Sequence, residues 1–254
     1  MTADTRPMAV RAVLVIAGRD LWRQVHRPGL LLSNAAQVLF FVVIYAVGFD
    51  ATVGDVDGVP FSAYVLPGII SIQVATVGIT TGLSYAWDRE YGVLREMLVA
   101  PVPRMCLPLG KVLGTTVVVA VQSLALLLCA PVFGLTVAPA TILLAEAVYL
   151  LGAVVFSLIG LLLATVLRRV QTLQACVQLA MFPMLFLSGS VFRPDGLPVW
   201  LGALIRVNPL TYVVDLSRHV LIGTGGVAPA LVDALVLVGI CLACWVGIRL
   251  RVGR

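Results

Sequence analysis

The sequence predicts an all-α integral membrane protein. Six transmembrane helices are expected, with an amphipathic interfacial helix before them, a charged cytoplasmic helix between spans two and three, and short broken outer helices between spans five and six. Three observations carry this. Of 254 residues, 61% are hydrophobic and only 11% charged, with a mean hydropathy of +1.08, whereas soluble chains carry about 25% charged residues. The apolar residues fall in runs suited to crossing a bilayer, which takes roughly 20 residues per helix. Finally, the stretch Trp87 to Lys111 holds three of the twelve acidic and four of the seventeen basic residues and lies between two such runs. Unpaired charges are too costly in hydrocarbon, so this stretch must sit in water or among headgroups. Six spans take about half the chain, which leaves one polytopic bundle and no soluble catalytic domain.

Residues 1–28 read as a cytoplasmic tail and the amphipathic helix. Over residues 9–27, Arg19, Asp20, Arg23, Gln24 and Arg27 share one face, and Val10, Val13, Leu14, Ala17, Leu21 and Val25 the other. This pattern suits a helix lying in the interface or one packed on the bundle and facing water. Residues 29–254 form the membrane domain. Span one covers 29–49, with Asn34 and Gln37 on one face near its inner end. Its charged lead is too long for a signal peptide and its apolar run too long for a cleavable core, so it is expected to stay as an anchor. The acidic loop after it faces outside. Span two, 61–86, contains Pro67 and Gly68, which can kink a helix. Gln73, Thr76, Thr80 and Ser84 recur there at spacings of three and four. Such a stripe either lines a pathway or bonds neighbouring helices and its own carbonyls.

The charged helix is expected over 87–100, stopped by Pro101 and Pro103. Span three covers 112–132. Span four, 140–167, contains Glu146, either a functional ionisable group or a structural acid that snorkels or pairs with Ser or Arg. Arg168 and Arg169 close it. Span five, 171–190, sets Gln171, Gln174 and Gln178 on one face. Residues 191–226 are apolar but broken by Pro194, Pro198 and Pro209, so they are expected as short helices at the outer boundary. Within them Asp215 has ion-pair spacing to Arg218 and His219. Span six, 227–246, has Asp233 near its outer end.

With both termini cytoplasmic, the inner segments hold fourteen basic residues and the outer ones three, Arg193, Arg206 and Arg218. That asymmetry satisfies the positive-inside rule. The basic residues flank spans rather than cluster on a soluble module, which argues against a nucleic-acid partner. Cys241 and Cys244 form a CxxC on a membrane helix without a second pair or a nearby His, so packing is favoured over metal or redox chemistry. Gly110-Lys111 is followed by Val112, and Met105 stands where a phosphate-binding loop needs its first Gly. The chain is therefore not expected to hydrolyse ATP or to be catalytic alone. An ion-coupled carrier remains the rival class, although it usually has more spans, internal repeats or several buried ionisable residues.

Two stretches resemble a known family. Asp88-Arg89-Glu90-Tyr91-Gly92-Val93-Leu94-Arg95-Glu96, continuing through Ala100-Pro101-Val102-Pro103-Arg104 to Gly110-Lys111, is similar to the cytoplasmic signature of ABC-2 type permeases. Phe182-Pro183-Met184-Leu185-Phe186-Leu187-Ser188-Gly189, then Arg193-Pro194, Leu197-Pro198-Val199-Trp200-Leu201, Asn208-Pro209-Leu210-Thr211-Tyr212 and Arg218, resembles the second signature. With Tyr64-Val65-Leu66-Pro67-Gly68 in span two, the similarity covers almost the whole chain in order. It is nearest to daunorubicin-resistance-type drug or lipid exporters, while some family members of this size export polysaccharide.

The resemblance implies a type V exporter-like permease half in the bacterial plasma membrane. It would pair with a second half, identical or related, and with two copies of a separate ATPase subunit that binds ATP and Mg. This chain itself would hold no cofactor or metal. Contact with the ATPase is implied through Arg19 and Arg23 of the interfacial helix and through Trp87, Asp88, Arg89, Glu90, Gly92, Arg95, Glu96, Pro101 and Arg104. Of these, Glu90, Arg95 and Glu96 can make charge-assisted contacts, and Gly92 allows close approach. The candidates for the substrate pathway or the permease interface are Asn34, Gln37, Gln73, Thr76, Thr80, Gln174 and Gln178. Pro183, Ser188, Gly189, Asn208 and Pro209 form the candidate outer gate segment. The expected cargo is an amphipathic drug-like or lipid-like molecule taken from or through membrane lipid.

Overall fold

A chain this apolar can satisfy its backbone in lipid only by coiling, and the residues that can be described are helical almost throughout. The computed structural model describes residues 6–26, 54–56, 58–92, 105–135, 137–167, 169–190, 198–223 and 227–252, with isolated positions 29, 36, 40, 44, 48 and 103. Helix α1 is Arg6–Val25, followed by a two-stranded hairpin, β1 Asp55–Val56 and β2 Val59–Pro60. Then come α2 Phe61–Glu90, α3 Cys106–Leu128, a 3-10 turn Ala130–Phe133, α4 Pro139–Val166 and α5 Val170–Phe186. Helices α6 Val199–Val207, α7 Pro209–Leu221 and α8 Ala230–Val252 complete the described chain.

Four of these, α2, α3, α4 and α8, are long and apolar enough to cross a membrane. Helices α6 and α7 meet at 84° and together make either a re-entrant pair or a broken span, and as one span they bring the count among the described residues to five. Helix α5 is apolar but only 17 residues long. The expected spans two, three, four and six thus correspond to long helices, whereas the fifth is a shorter one. Span one, 29–49, lies outside the described residues apart from isolated positions. Residues 87–90, expected to begin a separate charged helix, are instead the last turn of α2. The chain leaves that helix at Gly92, whose φ of 79° is a left-handed C-terminal stop; residues 93–100 lie outside the described set.

The bundle is built around α2, which is buried along most of its length. Its centre packs on α4 through small residues: a Cβ at Gly78 would stand 2.7 Å from that of Phe156, and one at Gly82 would fall onto the carbonyl of Gly160. This is the close backbone approach by which small-xxx-small spacings hold membrane helices together. A second such pair joins α3 to α1, where a Cβ at Gly110 would lie 2.7 Å from Ile16 Cβ and one at Gly114 3.2 Å from the Ala17 carbonyl. Helix α1 buries Ile16, Ala17 and Asp20 in this contact and leaves Val10, Leu14, Val15 and Trp22 exposed. Asp20 is therefore turned into the bundle rather than shared with the polar face predicted for it.

The expected broken segment is more deeply placed than a surface loop. Helix α7 starts at Pro209 with Asn208 as its cap, the Asn208 carboxamide oxygen accepting the Leu210 N–H at 3.0 Å. Leu210, Val213 and Val214 of α7 are buried in the main core with residues of α2 and α4.

Candidate functional site at the C-terminal end of α2

Residues Ser84 and Asp88 lie one turn apart on α2, Lys111 sits in the second turn of α3, and Arg19, Asp20 and Arg23 lie on α1. The α1–α3 glycine contact brings these three elements to one point. The Lys111 ammonium donates to Asp88 Oδ2, Asp20 Oδ2 and Ser84 Oγ at 2.7, 3.0 and 2.9 Å. Three acceptors match the three N–H bonds of an ammonium, so every donor of a lysine that is only 1% exposed is satisfied here. Arg19 Nη2 bridges Asp20 Oδ1 and Asp88 Oδ2, at 3.1 Å to each, and Arg23 Nη1 reaches Asp88 Oδ1 at 3.4 Å. The two carboxylates are buried and the guanidinium groups half-exposed.

The network continues along α2. Thr81 Oγ1 lies 2.8 Å from Thr115 Oγ1 on α3 and 3.2 Å from Ser157 Oγ on α4. Arg89 reaches in another direction, donating to the carbonyls of Ala164 and Leu167 at 2.7 and 2.8 Å. Those carbonyls lie at the end of α4, where backbone acceptors lack helical partners, so Arg89 ties α2 to the terminus of α4. Asp88 and Arg89 are thus internal braces. The outward side of the same turn is formed by Trp87 and Glu90, continued by Tyr91 in the turn after it; the Trp87 and Tyr91 rings meet edge-on at 5.8 Å. Among the described residues nothing stands within 4 Å of a Cβ placed on Gly92, which ends the helix at positive φ. Arg95, Glu96, Pro101 and Arg104 lie outside the described residues.

The pathway candidates separate. Gln73 is buried in a crevice with Ile70, Val119, Gln122 and Ser123. Thr76 and Thr80 bond back to carbonyls of their own helix, Ile72 at 2.8 Å and Val77 at 2.6 Å. Gln174 and Gln178 are exposed on α5 beside Leu179 and Phe182. Asn34 and Gln37 lie outside the described residues. Ser123 Oγ stands 2.9 Å from both carboxylate oxygens of Glu146, the serine pairing that was one of its two readings.

Of the outer gate candidates, Gly189 meets an arginine of α7 directly. Arg218 donates to the carbonyls of Gly189 and Ser190 at 2.8 and 2.7 Å and lies 4.0 Å from the ring centre of Tyr64. Asn208 Nδ2 holds the Met184 carbonyl at 2.8 Å. Ser188 and Gly189 are buried in this latch, whereas Pro183 is exposed within α5. The sequence reasoning had not selected Lys111, Asp20, Thr81 or Arg218 as site residues. The available signals were the chain's single lysine at the edge of an apolar run and the places of Lys111 and Arg218 at the ends of the two signature stretches.

The ABC-2 type transporter family profile matches residues 11–222. The chain is 30% identical over 162 residues to a protein of Escherichia coli strain K12 named as a probable multidrug ABC transporter permease, YbhR, covering 62% of this chain but only 43% of YbhR. It is 23% identical to the daunorubicin resistance ABC transporter permease protein DrrB1 of Streptomyces coeruleorubidus, over 89% of this chain and 81% of DrrB1. It is 22% identical to the inner membrane transport permease YadH of Escherichia coli strain K12, over 91% of this chain and 93% of YadH.

Proposed function

Because the chain belongs to the ABC-2 type transporter family, we propose that it is the membrane permease subunit of an ATP-driven exporter whose motor is a separate ATPase subunit. Two copies of that subunit serve a pair of permeases, identical or related, in a bacterial inner membrane with the chain termini on the cytoplasmic side. The cargo is an amphipathic drug-like or lipid-like molecule, a reading supported by the names of DrrB1 and YbhR.

The single observation that carries the coupling role is the Lys111-centred cluster. It binds α1, α2 and α3 into one rigid corner and leaves Trp87, Glu90 and Tyr91 on its outer side. A partner that binds and hydrolyses ATP presses on this ridge. Because a buried ion cluster resists shear, displacement of α2 carries α1 and α3 with it, and Arg89 passes it to the end of α4. The glycine contacts between α2 and α4 leave little room for slip, so the corner moves as a body and switches the access of a cavity between the two permease halves.

The experiment is co-purification of the chain with a tagged candidate ATPase subunit, followed by reconstitution in liposomes. A stable complex whose ATP hydrolysis rises with an amphipathic substrate is expected. Full transport by the chain alone, driven by a proton or sodium gradient, would overturn the proposal.

A further inference from the structure

At the opposite end of the bundle, where α2, α4 and α8 begin, stands a second cluster that the coupling role does not use. Asp215 and His219 lie one turn apart on α7, and Asp233 lies in the first turn of α8. One ring nitrogen of His219 and one carboxylate oxygen from each aspartate all fall within 4.8 Å of one another. Asp233 is 0% exposed, and among the described residues no N–H group donates to either of its carboxylate oxygens, which face His219 and the Asp215 carboxyl. His219 Nδ1 stands 3.9 Å from its Oδ2, beyond hydrogen-bond range. A buried carboxylate in that condition is strongly destabilising unless a positive charge or a proton sits against it.

The other two groups are held ready. Asp215 Oδ2 accepts the N–H groups of Val227 and Ala228 at 2.9 and 3.0 Å, which fixes the carboxylate at the approach to α8. His219 Nδ1 lies 3.0 Å from the Asp215 main-chain carbonyl. When Nδ1–H donates to that carbonyl, the ring is held in one tautomer and its other nitrogen, Nε2, keeps a lone pair that a turn of the ring can offer to a metal.

We propose that Asp215, His219 and Asp233 bind one divalent transition-metal ion, Zn2+ by preference, which clamps α7 to α8. Two carboxylates neutralise a divalent charge. The imidazole favours zinc over magnesium and calcium, which take oxygen ligands. Tetrahedral zinc with bonds of 2.1 Å sets its ligands about 3.4 Å apart; rotation of the His219 and Asp233 side chains by roughly an ångström towards the fixed Asp215 carboxylate closes the present spacing to that value. The site is independent of the ATPase-coupling role.

The test uses the full chain in lipid nanodiscs, stripped with a chelator and titrated with Zn2+, with Mg2+ as the control ion. One zinc per chain and a raised thermal midpoint are expected, with no response to Mg2+. Asp233→Asn and His219→Gln should each weaken zinc binding more than about 100-fold, a loss comparable to or beyond that of a supporting residue in known sites. In chelator, Asp233→Asn should be at least as heat-stable as the parent, because it removes a buried charge that faces the Asp215 carboxyl. His219→Gln keeps a polar side chain of similar size and serves if the first variant does not fold. The proposal is overturned if the parent chain takes up no zinc, as two carboxylates sharing a proton would predict, or if both variants bind zinc like the parent.

Discussion

Replacing Lys111 with methionine is the sharpest probe of the charge cluster. Methionine keeps the length of the side chain but deletes an ammonium that is 1% exposed and contacts Asp88, Asp20 and Ser84 within 3.0 Å. Breaking a buried ion pair by removing one partner destabilises by about 3–5 kcal/mol. Arg19 still bridges both carboxylates, although its side chain is 32% exposed and Arg23 is 46% exposed; such half-solvated contacts return roughly 0–1 kcal/mol. The net cost is therefore about 3 kcal/mol, and at 2–4 °C per kcal/mol for a chain of this length the thermal midpoint falls by about 6–12 °C. Gel filtration of a fluorescent fusion heated in mild detergent measures this. The decisive form is a double-mutant cycle with Asp88→Asn. Once the carboxylate is neutral, the lost ammonium leaves less charge stranded, so the double variant should be more stable than the sum of the single losses by about 2 kcal/mol. Midpoint shifts that simply add would refute the pairing.

Other consequences follow from neighbouring contacts. Arg89→Ala removes two bonds to the end of α4 and should cost about 2 kcal/mol, with faster amide exchange over residues 163–167 as the specific readout. Gly82→Ala places a methyl on the Gly160 backbone and should lower the midpoint by an amount matching an overpacking cost of about 1–3 kcal/mol. Gly202→Ala, which meets nothing within 4 Å among the described residues, should stay within about 0.5 kcal/mol of the parent. Glu90→Arg should leave heat stability unchanged while reducing ATPase stimulation in the reconstituted complex; an equal loss of stability would place Glu90 among the structural residues instead.

The long apolar runs announced α2, α3, α4 and α8 because hydropathy is a local property that a membrane reads directly. The stop at Gly92 was missed, because the sequence reading ran the charged helix on to Pro101, whereas a glycine at positive φ ends it ten residues earlier. The cluster was not legible in the same way. Lys111 and Asp20 are 91 residues apart, and on its own helix Asp20 has arginine neighbours, so local periodicity assigns it to water. Arg89 binds main-chain carbonyls, which carry no residue code. The spacings Gly78-xxx-Gly82 and Gly110-xxx-Gly114 stood in the sequence, but what each glycine lets in is set by the helix opposite. For Glu146, the sequence named serine as a possible kind of partner without fixing Ser123. The bend between α6 and α7 follows from Pro209, whereas the burial of α7 against α2 and α4 depends on a tertiary fit that no local pattern records.

The central claim is that the ridge at the end of α2 meets the motor. A photo-cross-linking residue at position 90, compared with one at position 199 on the far end of the bundle, tests it in membranes containing the assembled complex. Coupling to the ATPase subunit from position 90 and none from position 199 is the predicted result. Coupling from position 199 alone, or none from position 90 in a complex that still co-purifies, would contradict it.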